Sequence, residues 1–316
     1  MNYDEKKRIS MPASRRELLE RQGYIVKELV GEGAFGQVYR VWDNKDERSL
    51  ACKIASDAMG RKVLRKEAEL QKRIKHPVFP CYVELLESRE CTMFLMDYLE
   101  GEGLDVCLQK GALEQKRALS IAIQLAQGLE YLHNLPEPIL YRDLKPANIC
   151  LSQGGSVYLM DLGCACAVSR AQFSQAGSPG YAPWEQLKEQ SVEDDRKNMG
   201  QGFYSDVYAL GKLLHYMLTG DDPCKPPVRK MPIRAYNRKF SPLLEQLIMQ
   251  CVEEAPKLRP PDMHCVLPIL QLLLGERIGD RIAVKRKELE AVISGISGRE
   301  SGFMYERNIC CSVQKN

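Results

Sequence analysis

The chain has 316 residues, 44% of them hydrophobic, enough for one large or two modest domains. A formal net charge of +3 is too small to argue for nucleic acid or an anionic membrane as a partner. No apolar run approaches the roughly 20 residues that span a bilayer, and the first ten residues lack a signal-peptide core, so a cytoplasmic protein without a transmembrane segment is expected.

Residues 1–22 form a polar, charged N-terminal extension, in which Ser14 with Glu17 reads as a capping box ahead of Leu18 and Leu19 and predicts a short helix. From Gly23 to Ala55 the pattern alternates as strands, and Gly31-Glu-Gly-Ala-Phe-Gly36 joins two of them. Gly31, Gly33 and Gly36 let the backbone come close to phosphates. The segment after them, Q-V-Y-R-V-W, continues as a strand, which favours a strand–loop–strand lid over the strand-to-helix turn in which Rossmann folds use the same glycines. The next strand, S-L-A-C-K-I-A, carries Lys53 between Cys52 and Ile54. Arg61 to Lys75 reads as a charged helix ended by His76-Pro77, Val83 to Asp97 as two strands, and Leu113 to Asn134 as the strongest helix of the chain.

Leu140 to Gly163 carries the densest chemistry. It reads L-Y-R-D-L-K-P-A-N-I-C-L-S, a Gly-rich turn, then V-Y-L-M-D-L-G, so that Asp143 and Asp161 flank a predicted hairpin. Phosphoryl transfer needs one group to orient or deprotonate a hydroxyl and hard oxygen ligands for Mg2+. Asp143 suits the first role, Asn148 and Asp161 the second, and Lys145 can neutralise charge on the transferred group. Residues 186–203, with E-D-D-R-K, read as an exposed insertion, and Asp221 to Phe240 as a basic, Pro-rich loop. Ser241–Cys251 and Pro261–Leu274 read as closing helices. In the tail, 275–316, Ile282, Leu289, Val292, Ile293 and Ile296 fall at helical spacing, a face that packs, dimerises or floats, and Cys310-Cys311 is a weak lipidation signal. The twelve cysteines include no C-x-x-C pair and read as reduced thiols, and the lone Cys164-Ala-Cys166 is weak as a metal site.

Y-R-D-L-K-P-A-N followed by D-L-G, behind the glycine loop and A-C-K in that order, resembles the catalytic and magnesium loops of the eukaryotic-type (Hanks-type) Ser/Thr protein kinase family, in a wording closer to its bacterial members. The resemblance covers about Tyr24 to Leu274. It implies an α+β, bilobal fold, with a small antiparallel sheet lobe bearing one helix (23–98) and a larger, mainly helical lobe (99–274). It implies ATP and Mg2+ as cofactors and protein Ser/Thr hydroxyls as acceptors, the chain itself among them. Self-association through the tail is left open. By the same resemblance Lys53 holds phosphates and pairs with Glu67, with Glu69 as the fallback. Met96 is the gatekeeper, Asp97 and Leu99 offer backbone groups to adenine, and Val30, Val38, Ala51 and Cys150 sandwich the ring. Ser178 is expected to bond Asp143 and Lys145, Glu185 to pair with Arg259, and Asp206 to brace the catalytic loop. Arg142 would grip a phosphate on Ser174 or Ser169. Departures from the family pattern are Tyr141, Leu162, Gln71 in place of an apolar residue, and Pro183-Trp184-Glu185 in the docking triplet. The last two favour the alternative, a pseudokinase scaffold that binds nucleotide and partners without efficient transfer.

Overall fold

A computed structural model describes residues 11–33, 36–171, 175–187, 201–225 and 231–275. The predicted tail helix, Cys310-Cys311, Ser174 and most of the 186–203 insertion lie outside these residues.

The chain opens on helix α1 (Ala13–Arg21) and runs into strands β1 (Tyr24–Gly33), β2 (Gly36–Asp43) and β3 (Arg48–Ala55). Helix α2 (Ala58–Arg73) follows, then β4 (Tyr82–Glu87) and β5 (Thr92–Asp97), giving an antiparallel sheet in the order β1-β2-β3-β5-β4. The two-residue period of a strand sorts the side chains between two cores. Leu50, Cys52 and Ile54 of β3 join Met93 and Leu95 of β5 on the outer face. Ala51 and Ala55 join Phe94 and Met96 on the inner face, where Leu64 and Ala68 of α2 pack. Lys53 has the parity of Ala51 and Ala55, and that alternation turns it toward α2.

The outer face is closed by α1. Leu19 is fully buried there with Met11, against Tyr24, Tyr39 and Val41. The predicted capping box does not form. Pro12 occupies the N-cap, Ser14 lies inside the helix, and its hydroxyl donates to Glu90 Oε2 at 2.8 Å, because the serine faces the β4–β5 turn rather than its own backbone. Leu19→Ala is expected to cost about 3 kcal/mol of stability, read as a fall of about 10 °C in Tm by calorimetry.

The larger lobe is entered through β6 (Glu102–Gly103) and α3 (Leu104–Gln109) and built on α4 (Gln115–His133), which is buried along most of its circumference. β7 (Ile139–Leu140) leads to the 3-10 turn Pro146–Asn148, then to β8 (Ile149–Leu151) and β9 (Val157–Leu159). β10 (Cys166–Ala167), which pairs with β7, and the short helices α5 (Val168–Ala171) and α6 (Trp184–Leu187) follow. The lobe is completed by α7 (Phe203–Thr219), one-turn α8 (Ile233–Tyr236), α9 (Pro242–Cys251) and α10 (Met263–Leu274), with α4 against both α7 and α10. No helix among the described residues is long and apolar enough to cross a membrane.

Candidate active site

Two bonded networks face each other across the hairpin β8–β9. The register of that hairpin pairs Ile149 with Leu159, and the Met160 N–H donates to the Asn148 carbonyl at 3.0 Å, so Asn148 and Asp161 emerge side by side at its end.

In the first network, the Lys53 ammonium donates to the Glu67 carboxylate and lies 3.4 Å from Asp161 Oδ1. The Leu162 N–H adds a 3.3 Å bond to Glu67 Oε1, and Gly163 N–H donates to Asp161 Oδ1 at 2.8 Å. Glu67, not the exposed Glu69, is therefore the partner of Lys53. Burial alone would lower the Lys53 pKa, but Glu67 and Asp161 outweigh it and raise it. Burial holds the Glu67 carboxyl above its ordinary value, against the opposing pull of Lys53. Asp161 goes the other way. Burial would raise it, but Lys53 and the Gly163 N–H hold it below the ordinary range. Its side chain is 41% exposed, so the carboxylate is open to the cleft.

In the second network, Asn148 Nδ2 donates to both the Asp143 carbonyl and Asp143 Oδ2 at 2.9 Å. Lys145 Nζ is 2.8 Å from Asp143 Oδ2 and 2.7 Å from the Ser178 hydroxyl, which itself donates to Asp143 Oδ1 at 2.7 Å. The Asn148 amide nitrogen is thus spent on Asp143 and the amide oxygen is left for another ligand. With the open Asp161 carboxylate, that is a hard oxygen pair of the kind Mg2+ takes.

The loop carrying Asp143 is held from beneath. Fully buried Asp206, near the start of α7, accepts the N–H groups of Tyr141 at 2.9 Å and Arg142 at 2.8 Å, and meets His133 Nε2 at 2.9 Å. Arg142 sits at φ 71°, a left-handed conformation that costs an arginine on the order of 1–3 kcal/mol and needs such support. Gln186, 1% exposed, adds bonds from its amide to the carbonyls of Arg142 and Ala176. Neither His133 nor Gln186 stands out as a brace in its local sequence, where each is an ordinary polar residue.

Val38, Ala51 and Met96 meet in one apolar cluster on the inner face of the sheet. Val30 does not join it and is 50% exposed. Cys150 is buried on β8 opposite Gly103, its thiol pushed above the usual range by burial. The Asp97 N–H is spent on the Cys81 carbonyl at 3.1 Å, and Leu99 stands two residues on in the connector to β6. Gly31 and Gly33 lie at the end of β1, and a Cβ on Gly36 would fall 2.0 Å from the Ile54 carbonyl, so no other residue fits that turn into β2.

Gln71 is buried and its amide donates to the Pro80 carbonyl, so the polar group at this apolar position has a partner. Arg259 clamps Glu185 in a buried fork, with Nη1–Oε1 at 2.5 Å and Nη2–Oε2 at 3.2 Å, and Ser205 donates to the same carboxylate at 3.0 Å. Arg142 is buried, with Nη1 2.9 Å from Cys166 Sγ, and the charges of Arg142 and Arg170 both act on Lys66.

A family model described as the protein kinase domain matches residues 24–267. The chain is 28% identical over 300 residues to Serine/threonine-protein kinase A of Synechocystis sp., covering 84% of this chain and 56% of that protein. It is 31% identical over 210 residues to Serine/threonine-protein kinase PknH of Mycobacterium tuberculosis, covering 63% and 32%. Serine/threonine-protein kinase 36 of Pongo abelii is 31% identical over 208 residues, covering 63% and 15%. The chain thus spans about half the length of the first relative and a third or less of the other two.

Proposed function

Because the chain belongs to the protein kinase family, and within it to the Ser/Thr kinases of Hanks type, we propose that it transfers the γ-phosphoryl group of ATP to Ser/Thr hydroxyls of proteins, itself included. The observation that carries this reading is the meeting of the two networks, Lys53–Glu67–Asp161 and Asp143–Asn148–Lys145–Ser178, at one end of the β8–β9 hairpin. ATP would lie under the glycine turn with its adenine against Val38, Ala51 and Met96. Lys53, oriented by Glu67, would hold the α and β phosphates. Asp161 and the Asn148 amide oxygen would hold Mg2+, which supplies charge neutralisation for the triphosphate when bound. Asp143 orients or accepts the proton of the acceptor hydroxyl, with Lys145 beside it to offset charge on the moving phosphoryl group. Ser178 occupies Asp143 Oδ1 in the structure, so the acceptor hydroxyl would share or displace that bond.

Phosphate on Ser169 or Ser174 would have Arg170 and Lys66 beside the segment after β10 to order it, whereas Arg142 would first have to leave its buried contact with Cys166. The reading is tested by incubating the protein with labelled ATP, Mg2+ and a generic Ser/Thr protein, beside Asp143→Asn, and mapping the acceptor sites. Label on Ser/Thr that vanishes in Asp143→Asn is the expected result. Nucleotide binding without transfer by the wild type would instead establish the scaffold alternative.

The raised Glu67 and lowered Asp161 set the sign of the pH dependence. As pH falls, Glu67 takes up a proton above the ordinary 4.5 and its pair with Lys53 loses a charge, while Asp161 is still ionised down to below 3.8. The acid limb of kcat/KM is expected to lie above the ordinary carboxylate range and to flatten in Glu67→Gln. An identical limb in that variant would remove Glu67 as its source.

A further inference from the structure

Gln186 of α6 belongs to neither bonded network, yet its amide joins the two loops that meet in the second one. Each hydrogen of that amide goes to a different segment. One is donated to the carbonyl of Arg142, the residue before Asp143, and the other at 2.7 Å to the carbonyl of Ala176, two residues before Ser178. The Ser178 hydroxyl in turn donates to Asp143 Oδ1 at 2.7 Å. Chain and hydrogen bonds thus close a ring that runs from Gln186 through Arg142, Asp143, Ser178, Gly177 and Ala176 back to Gln186. Lys145 bonds both Ser178 and Asp143, so the ring stays closed through it when an acceptor hydroxyl displaces Ser178 from Oδ1.

The ring is drawn tight. Gly177 sits at φ 104°, and a Cβ there would fall 2.2 Å from Gln186 Nε2 and 2.7 Å from the Arg142 carbonyl oxygen, so only glycine lets the two loops come this close. The amide also has a fixed base. The Gln186 N–H donates to the Pro183 carbonyl at 3.0 Å, and the preceding residue, Glu185, is held in the Arg259 fork. At 1% exposure no water stands in for the side chain. An amide suits the place, because it supplies two donors without charge. An aliphatic side chain supplies none, and a carboxylate would set negative charge against two carbonyl oxygens. Lys53, Glu67 and Asp161 lie outside the ring.

We propose that Gln186 is a positioning residue for the protein acceptor: its amide fixes the spacing between the loop of Ser178 and Asp143, and so sets how the acceptor hydroxyl is presented to Asp143. The inference rests on the phosphotransfer reading. Hydrolysis of ATP by water draws on Lys53, Asp161 and Asp143 but needs no docked protein. The ratio of transfer to hydrolysis therefore reads the presentation of the acceptor.

The test gives the whole chain labelled ATP, Mg2+ and a generic Ser/Thr protein, and follows label on protein and free phosphate side by side. Gln186→Leu removes both donors and is expected to lower the ratio about tenfold or more, through a higher acceptor KM and a lower kcat, with nucleotide affinity within about twofold of wild type. In Gln186→Glu a protonated carboxyl regains one donor, and burial raises its pKa. The ratio is therefore expected to recover as pH falls from about 8 to about 6, while Gln186→Leu stays flat. Ser178→Ala opens the same ring elsewhere, so adding Gln186→Leu to it should change the ratio by less than about threefold. A ratio near wild type in both Gln186 variants, multiplied losses in the double variant, or a loss of nucleotide affinity as large as the loss of transfer would overturn the positioning role. Where thermal melts show Gln186→Leu unfolded, the pH series of Gln186→Glu decides, and a flat series there overturns it. A wild type that labels no protein would overturn the phosphotransfer reading itself, and the role of Gln186 with it.

Discussion

Asp161→Ala is expected to lower phosphoryl transfer by about 10³-fold or more while leaving the melting temperature within a few degrees of wild type. The carboxylate is the open member of its network, 41% exposed and joined to Lys53 at 3.4 Å, so its loss uncovers no buried charge. Lys53 keeps its tighter partner Glu67. What disappears is the hard oxygen beside Asn148 and the anion that fixes the lysine's direction. Single-turnover transfer, measured beside nucleotide affinity, separates these effects. A rate near wild type would mean that Asp161 does not hold the metal and that the role assignment is wrong.

Arg259→Ala is expected to cost about 3–5 kcal/mol, a fall of about 10–15 °C in Tm, although no atom of Arg259 belongs to either catalytic network. Its side chain is 0% exposed and that of Glu185 is 2%, so truncation strands a carboxylate in the interior with Ser205 as its hydrogen-bond donor among the described residues. Arg259 also donates to the carbonyls of Glu253 at 2.7 Å and Glu254 at 3.0 Å and lies over the Tyr208 ring at 4.7 Å. Arg259→Lys should rescue little, since an ammonium cannot reproduce the fork. Replacing both partners, as in Glu185→Leu with Arg259→Met, should recover much of the loss, because the cost lies in the orphaned charge. Equal melting points for Arg259→Ala and that double variant would refute this account.

The parts of the site that were legible in the sequence are those whose chemistry restricts residue type. An amine for phosphates, a carboxylate to meet it and hard oxygens beside a hydroxyl-orienting acid leave few choices, and order along the chain supplied the rest. Helix limits followed closely from periodicity and punctuation: the stretch 113–134 contains α4 (Gln115–His133), and His76-Pro77 follows the end of α2. The parts that were not legible depend on side chains distant in sequence. Gln71 looked like a flaw in apolar packing until the Pro80 carbonyl, nine residues on, came within reach of its amide. Ser14 looked like a cap because local sequence cannot reveal Glu90, 76 residues away. Arg142, read from sequence as a gripper of phosphate, is buried against Cys166, a contact set by the pairing of β10 with β7.

Leu19 precedes the first residue matched by the protein kinase family model, yet it is seated among Tyr39, Val41 and Leu50. A gene trimmed to start at Tyr24 would therefore yield a sheet with one greasy side bare. That surface invites clumping in the cell, and a poor yield from such a shortened version would say nothing about whether the catalytic apparatus works.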